Sequence, residues 1–342
     1  MAASALAFAL YARVDWPWFV CGWVGLVPWL ALLDRAPSLR AALSAGVLMC
    51  VAFVLGVFAW LPSAIENYTG VPWSVALLVV VLLAPVIEPQ FIVFAVARHL
   101  ASRSALGGNR AYAPLVGACA YVGTEWAWPK LFADTLGHGV YVSTLMRQAA
   151  DLAGAHGLTF ILIIANESAL AIIRAVGPAN RSSRIRQALA PAACVAVLVL
   201  SLLAYGAVRC RQLGDDNRSA DRVTVGIVQA DISQYDRMAA ELGTFEAVRR
   251  ILDIHFALSH DALGRGGLDL LVWPETVYPT TFGSPKSAEG AAFDREIGGF
   301  VADKRPAGIR GIRCRGGGRV QCGGVSRAGG GRSSELRDLP QG

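Results

Sequence analysis

Residues 188–232 read ALAPAACVAVLVLSLLAYGAVRCRQLGDDNRSADRVTVGIVQADI, and this one stretch contains two different solvents. Its first 21 residues hold no charge before Arg209, which is the length and composition of a helix that crosses a bilayer. Residues 211–221, eleven in all, are polar and carry Asp215, Asp216 and Asp221, as an aqueous linker does. Then Val223, Val225, Ile227 and Val228 crowd a short segment with β-branched residues in both alternating phases, the pattern of a strand covered on both faces. A membrane helix therefore delivers the chain into a folded aqueous domain.

Upstream, five further apolar runs reach or approach spanning length, at 16–33, 41–61, 73–97, 112–128 and 158–173. A shorter stretch at 2–12 opens the chain without a basic start or a small-residue cleavage site, so it reads as a short first span, or the remainder of a longer one, rather than a signal peptide. Six to seven transmembrane helices are expected in residues 1–210. Trp16, Trp18, Trp60, Tyr68, Trp73, Tyr112, Trp126 and Trp128 sit at run ends, where an interfacial aromatic belt belongs. Composition agrees: 54% of the 342 residues are hydrophobic and only 16% charged, against about a quarter in soluble domains. Mean hydropathy is +0.47.

Charge then gives direction. Arg35 and Arg40, then Arg98, Arg103 and Arg110, then Arg174, Arg181, Arg184 and Arg186 follow alternate runs. The intervening loops hold no basic residue at 62–72 and only Lys130 and Arg147 at 129–157. The arginine-rich loops are cytoplasmic by the positive-inside rule, and everything after Arg209 is extracytoplasmic. The net charge of +6 does not signal nucleic-acid binding. Seven arginines against two acids after Pro306 supply nearly all of it, so no nucleic-acid partner is expected. The seven cysteines show no paired-ligand spacing; no metal, cofactor or disulfide framework is read from them.

Several polar residues fall at membrane depth or in the 129–157 loop: Glu88, Glu125, Glu167, Asp134, His138, Asp151 and His156. Either neighbours in the bundle satisfy them, or some line a lipid-facing entrance to an active site; the spacing leaves both open.

In the aqueous part, a helical stripe over 238–260 follows the first strand, and LDLLVWPET at 268–276 forms a second strand closed by Pro274. Strand, helix, strand predicts a βαβ unit with parallel neighbours. Glu275 stands at the carboxyl end of that second strand, where open α/β sheets place ligand sites. It reads as a solvated loop carboxylate or, if functional, as a general base.

VGIVQADI followed by a helix and LDLLVWPETVYP resembles the opening of the carbon–nitrogen hydrolase (nitrilase-type) family. RAPSLRAALSAGVLMCVAFVLGVFAW, YVGTEWAWPKLFADTLGHG and RQAADLAGAHGLTFILIIANESALAI are similar to segments of the apolipoprotein N-acyltransferase family, over about residues 1–305. The resemblance implies a multi-pass α-helical membrane bundle in the bacterial inner membrane. After it comes an incomplete periplasmic α/β nitrilase-type domain at 222–305. It also implies transfer of an acyl chain from a phospholipid, through a cysteine thioester, to the α-amine of a diacylglyceryl-modified apolipoprotein. Membrane lipids surround both substrates. By that resemblance Glu275 is the general base of a Glu-Lys-Cys triad. The family's lysine and cysteine have no counterpart: Lys130, Lys286 and Lys304 lie elsewhere, and Cys314 and Cys322 come too early. Residues 306–342 hold eleven glycines and no apolar period, which reads as a change of reading frame near Lys304, a truncation or a disordered Gly/Arg tail. The chain as written is expected to be inactive. The alternatives are another membrane-tethered nitrilase-type amidase or acyltransferase, and a non-catalytic membrane remnant.

Phosphatase fused after Gly214 is expected to be active and phosphatase fused after Arg103 silent; the reverse pattern would invert the orientation.

Overall fold

The computed structural model describes residues 1–103, 112–175, 181–219, 222–232, 235–274, 283, 285 and 287–303. The chain divides into two compact units, Met1–Ser219 and Ala220–Gly342. Residues 306–342, with the reading-frame question attached to them, lie outside the described residues.

Among the described residues of the first unit, three helices are long and apolar enough to cross a membrane: Leu39–Val57 (α4), Met146–Ala175, whose main part is α9 (Ala150–Ala175), and Ala188–Asp215 within α10 (Arg181–Ser219). The run at 73–97 becomes two helices, α6 (Trp73–Ile87) and α7 (Gln90–Arg103), which are long and apolar enough to cross a membrane only as a pair bent by 47°. Pro85 and Pro89 account for the bend, since neither can donate to the preceding turn and each ring crowds it. The run at 16–33 forms α2 (Cys21–Val24) and α3 (Val27–Leu33) after a tight turn at Trp18–Val20. Pro28 enters at the start of α3, where its missing N–H costs nothing. The run at 112–128 forms α8 (Ala113–Ala127), and α1 (Ala2–Tyr11) and α5 (Leu61–Thr69) are shorter still.

Aromatic rings fill the centre. Phe91 meets Trp29, Phe53 and Tyr121 at centroid distances of 5.6, 5.0 and 5.3 Å, so α3, α4, α7 and α8 share one core. Gly46 permits the close approach of α4 to α7: a Cβ there would stand 2.8 Å from the Ile92 Cα. Outward-facing apolar residues such as Leu78, Leu82, Val197 and Leu200 are exposed, as a hydrocarbon solvent allows.

Buried polar contacts join the broken segments to the long helices. Asn166 of α9 accepts from the Leu26 N–H (2.8 Å) and donates to the carbonyls of Gly22 and Leu162 (both 2.8 Å). The junction between α2 and α3 is thereby satisfied without water. Trp29 donates its indole N–H to the Ala45 carbonyl (3.0 Å). The Arg98 guanidinium grips Glu167 with two parallel bonds of 2.5 and 2.9 Å and reaches Asp34 at 2.8 Å, while Arg174 pairs with Asp34 as well. Two arginines and two acids balance, and they gather α3, α7 and α9 at one end of the unit.

The second unit opens with β1 (Val225–Ile227) and continues through α11 (Tyr235–Leu242) and α12 (Thr244–Gly264) to β2 (Leu270–Val272) and α13 (Ala288–Asp303). The strands pair in parallel, Val225 opposite Leu270 and Ile227 opposite Val272. The expected single helix over 238–260 is split at Gly243, whose φ of 85° no β-carbon residue adopts without strain. The strands are shorter than the apolar runs, and the first is not buried on both faces as expected. Val223, Val225 and Ile227 are exposed, Ile227 to 77%, while Val228 is buried. Val248, Ile251, Leu252 and Phe293 form the small core.

Replacing Arg98 by Met should leave Glu167 charged and buried without a partner, destabilising the bundle by about 3–5 kcal/mol. Thermal unfolding in detergent would show this as a large fall in the midpoint, and an unchanged midpoint would mean the pair is dispensable.

Candidate functional site

In the second unit, chemistry is expected at the end of β2, and the residues leading to it are firmly held. Trp273, directly after β2, donates its indole N–H to the Ser259 hydroxyl (2.9 Å), which in turn donates to the His255 carbonyl (2.6 Å) on α12. The Trp273 ring also lies 5.5 Å from Phe256 and 5.4 Å from His255. At the other end of the strand the Asp269 carboxylate accepts from the Thr224 N–H (2.8 Å), which pins the start of β1 beside the start of β2. Arg249 of α12 makes two bonds to Glu296 of α13 (2.5 and 2.8 Å) and one to Asp253 (2.7 Å). Those two carboxylates hold its guanidinium charged even beyond the usual arginine range. Trp273 and Pro274 thus leave the sheet in a direction set by α12. Glu275, the one catalytic residue expected from the sequence, lies outside the described residues.

The polar residues of the first unit separate into five places. Glu88, Glu125 and Asp134 converge on Lys130, at the ends of α7 and α8 opposite the Arg98 network. The Lys130 ammonium stands 3.1 Å from Asp134 and 3.5 Å from Glu88, and donates to the Asp134 carbonyl at 2.7 Å. Gln90 donates to Glu88, and the Cys50 thiol donates to the Glu88 carbonyl at 3.0 Å. Glu167 belongs instead to the Arg98 network, away from this cluster. Asp151 accepts from Tyr205 (2.6 Å) and Arg209 (2.9 Å), clasping α10 to the start of α9. His138 closes a capping box with Thr135 by accepting its N–H at 2.9 Å, and His156 is half-buried. Among the described residues no group of histidine, cysteine and carboxylate side chains gathers closely enough to hold a metal ion.

Sequence reasoning treated Lys130 as a loop charge, assigned Arg98 to a cytoplasmic loop although it lies buried within α7, and did not single out Asn166, Gln90 or Tyr121. A signal for Lys130 was present: it is the one lysine before residue 286, and it directly follows the Trp126–Trp128 aromatic cluster.

These features define the class: a helical membrane protein whose second unit begins with a parallel βαβ element. Residues 3–167 match the N-terminal domain of apolipoprotein N-acyltransferase. The chain belongs to the apolipoprotein N-acyltransferase family. It is similar to the apolipoprotein N-acyltransferase of Bdellovibrio bacteriovorus, 24% identical over 256 residues that cover 73% of this chain and 44% of that protein. The Geobacter metallireducens protein of the same name is 28% identical over 76% of this chain and 47% of its own. That of Rhizobium leguminosarum bv. trifolii is 32% identical over 43% and 26%. The chain thus spans less than half the length of the curated relatives it matches.

Proposed function

We propose that this chain carries the membrane anchor and the beginning of the catalytic domain of an apolipoprotein N-acyltransferase. The observation that supports the reading is the order of parts. A membrane domain of that family is followed by a parallel βαβ element whose second strand ends in Trp273-Pro274-Glu275, the motif in which nitrilase-type hydrolases carry their base. The bundle sits in the bacterial inner membrane with the second unit on the periplasmic side, because both substrates are lipids that must be met at that leaflet.

In the reaction, Glu275 takes the proton of a cysteine thiol, and the thiolate attacks the ester carbonyl of a phospholipid. The carbon–oxygen ester bond breaks, the lysophospholipid oxygen receives the proton, and an acyl thioester remains. The α-amine of a diacylglyceryl-cysteine then attacks the thioester; an amide forms, the carbon–sulfur bond breaks, and the amine's proton returns to the thiol by way of Glu275. A lysine ammonium stabilises both tetrahedral oxyanions. The lysine and cysteine are not among the residues that the motif assigns in this chain, so acyl transfer needs sequence that these 342 residues do not supply.

In a chain joined to the remainder of the hydrolase domain, Glu275→Gln should slow thioester formation by about 10²–10⁴-fold. Trapping of the acyl-enzyme from labelled phospholipid reads this directly, and near-normal acylation would remove Glu275 from the mechanism. Separately, the 342-residue chain should fail to support growth of a strain depleted of its own N-acyltransferase, and rescue would overturn the inference that the missing groups are required.

A further inference from the structure

We propose that the guanidinium of Arg147, held against Tyr141 at one end of the bundle, is a binding site for the phosphate of an anionic phospholipid headgroup at the membrane surface.

Depth comes first. Arg147 is the second residue of the span Met146–Ala175, so its side chain lies where hydrocarbon gives way to headgroups. Neighbouring elements end at the same level. Tyr205 and Arg209 of α10 reach across to Asp151, and a Cβ on Gly206 would stand 2.0 Å from the Leu145 carbonyl oxygen. The segment Leu136–Val142 packs on Met146–Ala149 and on the turn at Trp18–Val20. Trp18 and Tyr141 are exposed there. Rings of this kind, apolar in body and polar at one edge, are the side chains that face lipid headgroups.

Charge singles out the residue. The 129–157 loop holds two basic side chains, on the side of the membrane where basic residues are scarce. Lys130 is matched by Asp134 and Glu88. Arg147 forms no ion pair among the described residues. Its Nη1 makes one long hydrogen bond, 3.3 Å, to the Tyr141 carbonyl, and its Cζ stands 4.7 Å from the centroid of the Tyr141 ring. The carboxylate one helical turn on, Asp151, is already taken by Tyr205 and Arg209. A guanidinium carries five N–H donors, and here a single one is used. The ring behind it and the carbonyl beside it fix its plane, which leaves a pre-oriented edge of paired N–H groups. Two phosphate oxygens match that edge, and a compact ammonium in its place would meet only one. Because Asp151 is committed to Arg209, it is not free to hold the ammonium of a zwitterionic headgroup. The chemistry of the site therefore favours an anionic lipid, such as phosphatidylglycerol, over phosphatidylcholine. This site lies in the first unit and takes no part in acyl transfer at Glu275.

The test uses the full chain in neutral detergent micelles and needs no enzymatic activity. Its thermal unfolding midpoint is followed while phosphatidylglycerol, phosphatidylcholine, diacylglycerol of the same chains or inorganic phosphate is added, since a ligand bound only by the folded state raises the midpoint with concentration. Phosphatidylglycerol should raise it at the lowest concentration, and diacylglycerol and inorganic phosphate should not raise it. Arg147→Gln should shift the phosphatidylglycerol dependence to about tenfold higher concentration and leave the lipid-free midpoint unchanged. Arg147→Lys should recover part of that loss, and Arg103→Gln, at the opposite end of the bundle, should leave the dependence as it was. An Arg147→Gln chain that responds to phosphatidylglycerol like the unaltered one would overturn the proposal, because only water then meets the guanidinium. So would an equal fall in the midpoint with and without lipid, which marks a structural clamp on Tyr141. A response to inorganic phosphate matching that to the lipid would overturn it as well.

Discussion

The bond on which the bundle most depends is the bidentate grip of Arg98 on Glu167. It joins α7 to α9 across 69 positions of sequence, and the third nitrogen of the same guanidinium holds Asp34 at the end of α3. In hydrocarbon, apolar faces gain little by meeting one another, because lipid tails are as apolar as the side chains they replace. Association then rests on close packing and on polar contacts that have no better partner elsewhere. Arg98 supplies the polar part, Gly46 and the Phe91-centred rings supply the packing, and Asn166 satisfies the backbone where α2 and α3 break.

That arrangement divides the bundle into two chemically distinct ends. At one end Arg98 and Arg174 balance Glu167 and Asp34. At the other, around Lys130, acids outnumber the cation. The same contrast separates Glu167, read as structural, from Glu88 and Glu125, although all three looked alike as lone carboxylates in apolar runs.

The second unit is anchored by a different device. Its sheet has two strands, and the small core of Val248, Ile251 and Leu252 on α12 packs with Phe293 of α13 and with Trp273, just after β2. Trp273 ties the end of β2 to α12 through Ser259, so the motif tryptophan orients the residues that follow it. The sheet face with Val223, Val225 and Ile227 remains apolar and exposed. Parallel sheets are ordinarily covered on both faces, and these residues together with Val228 in the opposite phase are the sequence of a strand meant for two-sided burial.

Sequence alone indicated the membrane half and the parallel βαβ order, because each rests on a local property: run length, and the switch from helical to alternating periodicity. The linker expected at 211–221 is instead helical as far as Ser219, where α10 continues. Glu275 is proposed from the sequence through its position after an apolar strand and the resemblance of its motif. Residue composition could not reveal that the 16–33 run breaks into short helices or that the 73–97 run bends by 47°. Hydropathy counts apolar residues, while a break depends on where Asn166 and the prolines place backbone partners. Nor could it sort Glu88, Glu125 and Glu167. Only the tertiary structure decided that Glu167 meets Arg98 and that Lys130 meets Glu88, since charge pairing across 69 and 42 positions is a property of packed helices and leaves no local pattern.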